Sequence, residues 1–369
     1  MKKSEKSQGV LYRKYRPQSF EELVGQRPIK EILEAALEKN RISHAYLFSG
    51  PRGTGKTTVA RLFARAVNCE KLSILEGKSP CNNCKVCQEF SSGHTLDLIE
   101  VDAASSRGID EIRALREGIR VLPFQAKYKV YIIDEVHMLT KEAFNALLKT
   151  LEEPPEHVIF ILATTEIEKV PETIVSRTQH YQFRRISEED IQTALELIIK
   201  KEKVKIDPEV LNIIAVLSEG SLRDAQSMLD QIMSLNETGN LKIRSLFGVP
   251  PHEILQNITL AFLRKDTKTS LNLIYASGIS DIDQHALLKL LIRNFRFLLY
   301  LKVDASYERQ LAKFLPERDL ISLKEISQQY DIKDFENILI HLNNSYSLLR
   351  ISYLPQLPLE LAALKITGG

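Results

Sequence analysis

Residues 50–57 read Gly-Pro-Arg-Gly-Thr-Gly-Lys-Thr. This matches the pattern G-x-x-x-x-G-K-S/T, and it stands directly after the apolar run Ala45–Ser49 and directly before a helical pattern. That is the context in which the pattern forms a phosphate-binding loop. Glycines let the backbone curl so that successive N–H groups converge on one point. The start of the following helix adds positive potential there. Lys56 supplies a point charge to the β- and γ-phosphates, and Thr57 offers a hydroxyl to Mg²⁺. Gly50, Pro51, Arg52, Gly53, Thr54, Gly55, Lys56, Thr57 and Thr58 are therefore the expected ATP-binding set. A ligand-free glycine turn is the plainer alternative, and the flanking strand and helix argue against it.

The first half of the chain repeats this alternation. Ala45–Ser49, Asp97–Asp102, Val130–Asp134 and Val158–Thr164 are near-continuous apolar runs, as expected of strands buried on both faces of a parallel sheet. Val59, Leu62, Phe63, Ala66 and Val67 follow helical spacing, as do Phe144, Leu147, Leu148 and Leu151, and Pro154-Pro155 ends the second helix. The pattern predicts a doubly wound α/β domain ending near Arg184. Asp134 falls at the carboxyl end of its strand, where open α/β sheets bind ligands. Asp134 would hold Mg²⁺ through water and Glu135 would polarise an attacking water. Two acids at a strand end mean little alone, but beside an intact phosphate loop they point to ATP hydrolysis. Thr164 or Thr165 offers a hydroxyl that would sense the γ-phosphate. Arg177, in a later loop, would reach a neighbouring subunit's γ-phosphate as an arginine finger in trans; a plain surface arginine is the alternative.

Beyond residue 184 the strand signals fade. Ser187 caps a first turn rich in Glu188, Glu189 and Asp190. Asn236–Asn240 reads as a loop and Gly248–Pro251 as a second boundary, with only helices after it. The stretch Ala286–Lys302 is apolar almost all round, implying deep burial or a subunit interface.

A net charge of +2 over 369 residues excludes a globally basic nucleic-acid binder, so any basic surface must be local. The charged N-terminus lacks the apolar core of a secretory signal and reads as a short disordered tail. Lys289, Arg293 and Arg296 interrupt the most apolar stretch well short of the ~18 residues a membrane span needs. The expectation is a soluble, cytoplasmic protein with no membrane partner. Structural disulfides are not expected there, so the four cysteines need another reason. Cys69, then Cys81, Cys84 and Cys87 at x2 spacing, suit a closed tetrahedral Zn²⁺ knuckle spanning about 69–87 with a structural role. An iron–sulfur cluster or four unmetallated thiols are the alternatives.

Several segments together carry a resemblance: YRKYRPQSFEELVGQ, HAYLFSGPRGTGKT, the cysteine knuckle, DLIEVDAAS, the long run from KVYIIDEVHML to ILATTE, SRTQHYQF and EGSLRDAQSMLDQ. Over nearly all of residues 11–233 the chain resembles the gamma/tau family of bacterial DNA polymerase III, the ATPases of the sliding-clamp loader. The remainder is similar in length and helical character. The resemblance implies an AAA+ fold: a RecA-like α/β P-loop domain with an inserted zinc knuckle over 1–184, a small helical lid over 185–243, and an all-helical collar over 244–369 that assembles subunits into a ring-like pentamer. It also implies Thr165 as the sensor, Arg177 as the trans-acting arginine, Arg223 as the lid arginine on the same chain's γ-phosphate, and Arg16 with the segment Val24–Gln26 at the adenine pocket. Implied cofactors are ATP, Mg²⁺ and Zn²⁺. Implied partners are the delta and delta-prime subunits, other copies through the collar, the beta sliding clamp, and primed DNA. Ser105, Ser106 and Arg107, before a predicted helix Ile109–Ile119, are candidate DNA-phosphate contacts, with a plain helix cap as the alternative.

Two departures are minor: Thr178 replaces the family's usual Cys, and the gap from Cys69 to Cys81 is longer than usual. The sequence given ends at Gly369, about where the collar is expected to end; a short form, a truncation of a longer form and a lineage without the family's extension are the alternatives. A non-hydrolysing, delta-prime-like subunit and a branch-migration motor are the competing readings. Intact Lys56, Thr57, Asp134 and Glu135 oppose the first; the cysteines and helical tail oppose the second.

Overall fold

The computed structural model describes residues 10–71, 79–93, 95–106, 115, 117–235, 240–279, 282–312 and 315–368. They group into two compact units: Met1–Ile191 with Glu219–Ser227, and Gln192–Ser218 with Met228–Gly369. The tail before residue 10, most of the predicted helix Ile109–Ile119, and residues 236–239 of the predicted loop lie outside the described residues.

The first unit is built on five parallel strands: β1 (Ala45–Ser49), β2 (Leu98–Asp102), β3 (Lys129–Asp134), β4 (Val158–Thr164) and β5 (Gln179–Gln182), in the order β2-β3-β4-β1-β5. β4 lies between β1 and β3, with Phe160 opposite both Ala45 and Tyr131. The carboxyl ends of β1, β4 and β3 are therefore neighbours, which gathers the phosphate loop, the threonine pair and the acid pair. Strand residues alternate between two cores. Tyr46, Phe48, Val130 and Ile132 face helices α2 (Arg27–Glu38) and α3 (Lys56–Val67). Ala45, Leu47, Tyr131 and Ile133 face α5 (Lys141–Glu152). In chain order α1 is the short turn Leu11–Lys14 and α4 is Lys85–Ser92.

Two strand expectations need correction. β2 is only half-buried along its length, because it is an edge strand with a neighbour on one side. β5 carried no apolar signal: of its residues only Tyr181 is buried. Helix ends follow local chemistry. α5 stops at Glu152 before Pro154-Pro155, and Ser187 Oγ accepts the Asp190 N–H at 3.1 Å as α7 (Glu188–Glu202) begins after the short α6 (Glu172–Val175).

The second unit is helical throughout its described residues. Its core centres on Gln284–Val303, where Leu287, Leu291, Phe295 and Leu298 are fully buried. The all-round apolar pattern there corresponds to burial by neighbouring helices. No helix among the described residues is long and apolar enough to cross a membrane.

Candidate active site

β1 runs straight into the phosphate loop. Gly50, Gly53 and Gly55 have φ of 138°, 75° and 100°, conformations that L side chains rarely adopt. Space also forbids side chains at two of them. A Cβ at Gly50 would collide with the Phe183 carbonyl, and one at Gly53 with the Ser221 hydroxyl. Lys56 opens α3 and is 6% exposed. Its Nζ donates to the carbonyls of Gly50 at 2.7 Å and Pro51 at 2.9 Å. Burial lowers its pKa, while Glu135 and Asp134 pull the other way. A phosphate oxygen would replace those carbonyls as its partner and restore the preference for the charged form.

The acid pair meets the loop through side chains far apart in sequence. Thr57 Oγ1 donates to Asp134 Oδ2 at 2.7 Å. A hydroxyl and a carboxylate this close are the hard oxygen donors that Mg²⁺ takes alongside phosphate and water. Glu135 follows in the left-handed region (φ 49°), its N–H bonded to Asp134 Oδ1 at 3.0 Å. Its Oε2 accepts from Thr165 Oγ1 at 3.0 Å and from the Thr165 N–H at 3.3 Å. Thr164, fully buried, instead turns its hydroxyl to His137 Nδ1 at 3.0 Å.

Lys56, Thr57, Asp134 and Glu135 open on a cavity of about 550 Å³, within the roughly 300–1,000 Å³ typical of ligand clefts; its lining includes neither Thr164 nor Thr165. Of the residues singled out from sequence, Arg16, Val24, Arg52, Gly53, Thr54, Gly55, Lys56, Thr57, Thr58, Asp134, Glu135 and Arg223 line it. Gly50 and Pro51 contribute the carbonyls that hold Lys56. Tyr12, Ile186, Leu222 and Gln226 also line it and were not anticipated. Leu222 and Gln226 sit one helical turn apart around Arg223, a spacing that would have flagged them. Tyr12 had no signal: the Arg223 guanidinium lies 4.9 Å from its ring centroid, and hydrogen bonding to Arg13 and then Arg223 lowers its hydroxyl pKa. Gln26 ties the entry segment down, its amide donating to the Arg184 carbonyl at 2.6 Å and accepting the Arg184 N–H at 3.1 Å.

Arg177 lies outside this cavity. Its guanidinium bonds Glu152 Oε1 at 2.7 Å and the Thr173 carbonyl at 2.9 Å, on a partly exposed surface. Ser105 and Ser106 form a turn closed by N–H bonds to the Asp102 carbonyl at 3.1 and 2.9 Å; Arg107 lies outside the described residues.

Cys69 follows the end of α3, and Cys81, Cys84 and Cys87 lead into and lie on α4. All four sulfurs lie within 4.8 Å of one another, with Cys81 and Cys87 Sγ 3.9 Å apart. Four thiolates around Zn²⁺ at ~2.3 Å would stand about 3.8 Å apart, so the set fits a tetrahedral ion. The Cys84 and Cys87 N–H groups point at the sulfurs of Cys81 and Cys84, each at 3.4 Å, as the surroundings of a thiolate ligand require. The hydrogen bond with Cys87 brings the Cys69 pKa down to about 5, and the same contact pushes Cys87 up. Thiols this close cannot all ionise without a cation between them.

Residues 25–187 match the family model described as "DNA polymerase III, delta subunit", and residues 190–237 match "DNA polymerase III clamp loader subunit, ATPase lid domain". The chain is 41% identical to the DNA polymerase III subunit tau of Bacillus subtilis over 97% of its own length and 63% of that protein. It is 41% identical to the DNA polymerase III subunit gamma of Buchnera aphidicola subsp. Schizaphis graminum over 90% of its length and 91% of that protein. Among solved structures, a RuvB of Thermotoga maritima matches with a TM-score of 0.47 and 18% identity, covering 73% of this chain and 88% of that one. The chain spans less than two thirds of the Bacillus protein but nearly all of the Buchnera one, and with 41% identity across that length it belongs to the family of DNA polymerase III gamma and tau subunits.

Proposed function

We propose that the chain is the ATP-hydrolysing subunit of a clamp loader, in which bound ATP favours the assembly that grips the beta sliding clamp and hydrolysis releases the clamp on primed DNA. The observation that carries this is the 2.7 Å bond from Thr57 Oγ1 to Asp134 Oδ2, which joins the phosphate loop to the acid pair in one cavity. A non-hydrolysing subunit would have no use for a Glu135 held by Thr165.

In this reading Lys56 and the loop N–H groups bind the β- and γ-phosphates. Thr57 and Asp134 would hold Mg²⁺, which when bound offsets phosphate charge. Glu135 orients and polarises the attacking water, Thr165 reads the γ-phosphate, and Arg223 reaches it from the same chain. Arg16 and Val24 border the adenine. Arg177 leaves Glu152 and meets the γ-phosphate of a neighbouring copy; a partly exposed ion pair worth about 0–1 kcal/mol is readily exchanged for a phosphate. We retain the division into 1–184, 185–243 and 244–369 for the nucleotide-binding, lid and collar parts.

Two surfaces support the partner assignments. In the first unit Leu96, Leu122 and Phe124 are each more than 70% exposed, on a loop pinned by Asp97, whose carboxylate accepts the N–H groups of Phe124, Gln125 and Ala126. A rigidly presented apolar patch of this kind suits the clamp. In the second unit Ile351 and Tyr353 are 80% and 97% exposed, which suits contact with other subunits. The cysteine set would hold Zn²⁺ structurally. Ser105, Ser106 and Arg107 remain candidates for DNA phosphates, and delta and delta-prime the expected partners, in the cytoplasm.

The test is ATP turnover by the assembled complex with clamp alone, primed DNA alone, and both. Strong synergy is expected. Turnover indifferent to both would sink the loader reading.

A further inference from the structure

The turn Thr164–Glu166, which carries the partner of Glu135, is itself held by a histidine that the sequence did not flag. Residues Val136–Met138 form a tight turn directly after Glu135. It swings the His137 ring inward until its side chain is only 5% exposed. There Nδ1 lies 3.0 Å from Thr164 Oγ1 and 3.5 Å from Glu135 Oε2, while Nε2 faces Glu166 Oε1 at 3.2 Å. Thr164 Oγ1 already accepts the Glu166 N–H at 3.0 Å, so its own proton is free to go to Nδ1. With the ring proton on Nε2, that nitrogen donates to the Glu166 carboxylate and both ring nitrogens are satisfied. Glu166 is in turn held by Lys169 at 2.6 Å.

We infer that His137 is a positioning residue for hydrolysis: it locks the turn Thr164–Thr165–Glu166 against Glu135, fixing both the sensor hydroxyl and the carboxylate. The inference rests on the reading of Glu135 as the group that activates water. Its logic is geometric. Thr165 cannot bond Glu135 and a γ-phosphate with the same proton, so the Glu135–Thr165 bond must change when nucleotide arrives. The His137–Thr164 bond involves neither partner of that exchange and stays in place throughout. His137 does not itself line the nucleotide cavity, so its loss is expected to show in turnover and not in affinity.

The experiment is steady-state ATP turnover by the complex assembled from full-length chains, with nucleotide affinity read separately by a fluorescent ATP analogue. His137→Ala is expected to lower kcat at least tenfold while KM and analogue affinity stay within threefold. His137→Asn, whose amide oxygen can accept from Thr164, is expected to recover most of that loss. Thr164→Val, nearly isosteric, should lower kcat like His137→Ala, and the two together should do no more than either alone. A His137→Ala enzyme with unchanged kcat, or one altered only in KM, overturns the inference. If His137→Ala fails to fold, Thr164→Val and His137→Asn decide: normal turnover in Thr164→Val overturns it. Glu135→Gln separates the two levels. If that change leaves turnover intact, the reading of Glu135 itself fails; if it abolishes turnover while His137 and Thr164 variants run normally, only the positioning role fails.

Discussion

The two ends of the helix Lys56–Val67 carry opposite chemistry by opposite means. At its start, free backbone N–H groups and Lys56 face a cavity completed by Asp134, Glu135 and Arg223, residues brought from distant segments. Just past its end, Cys69 meets three cysteines that follow within the same short excursion of chain. The first arrangement attracts an anion and the second a cation, as the ends of a helix dipole favour. The difference teaches where the fold is needed. The cysteine set is nearly complete in local sequence, and its loss should be felt as stability. The nucleotide end exists only when strands β1, β3 and β4 lie side by side, and its loss should be felt as chemistry.

That contrast can be broken, and the sharpest blow is at Glu135. Glu135→Gln should reduce ATP turnover by up to ~10⁴-fold with nucleotide affinity retained; a variant that still turns over would remove the chemical half of the contrast. Arg177→Ala should cost the assembled complex about 10³-fold in turnover but leave binding by the lone chain within twofold. A lone chain that hydrolyses ATP as fast as the assembly would show that no arginine is lent across subunits. Lys56→Ala should weaken nucleotide binding by about 1.5–3 kcal/mol, the range for a hydrogen bond to a charged group, without lowering the melting temperature.

At the other end, metal analysis should find one zinc per chain. Cys87→Ser or chelation should lower the melting temperature by about 10 °C, at roughly 2–4 °C per kcal/mol, while turnover per folded molecule stays within about twofold. Iron in place of zinc would redirect the reading toward a cluster. The smallest effect should come from Ser187→Ala, which removes a helix cap worth about 1 kcal/mol and leaves both ends untouched; a change in turnover there would mean that the two ends are not independent of the rest of the chain.

Much of the first unit could be read from its residues. β1 and β4 were delimited correctly because they are central and buried on both faces. β5 escaped because an edge strand with one buried residue carries no apolar pattern, and β2 was taken as doubly covered when it is not. Arg177 could be named but not its partner Glu152, since a contact across 25 residues has no spacing rule. Tyr12 and His137 were invisible for the same reason: each matters through a side chain placed opposite it by the fold.

By itself, the sequence determined the phosphate loop, the acid pair, the cysteine set and the capped helices, because each depends on backbone freedom or ligand spacing within a few residues. Only the tertiary structure decided that β4 lies between β1 and β3, that Thr165 rather than Thr164 meets Glu135, and that His137 stands behind them. Strand order and side-chain facing are set by which apolar faces bury together, and that is a property of the whole core.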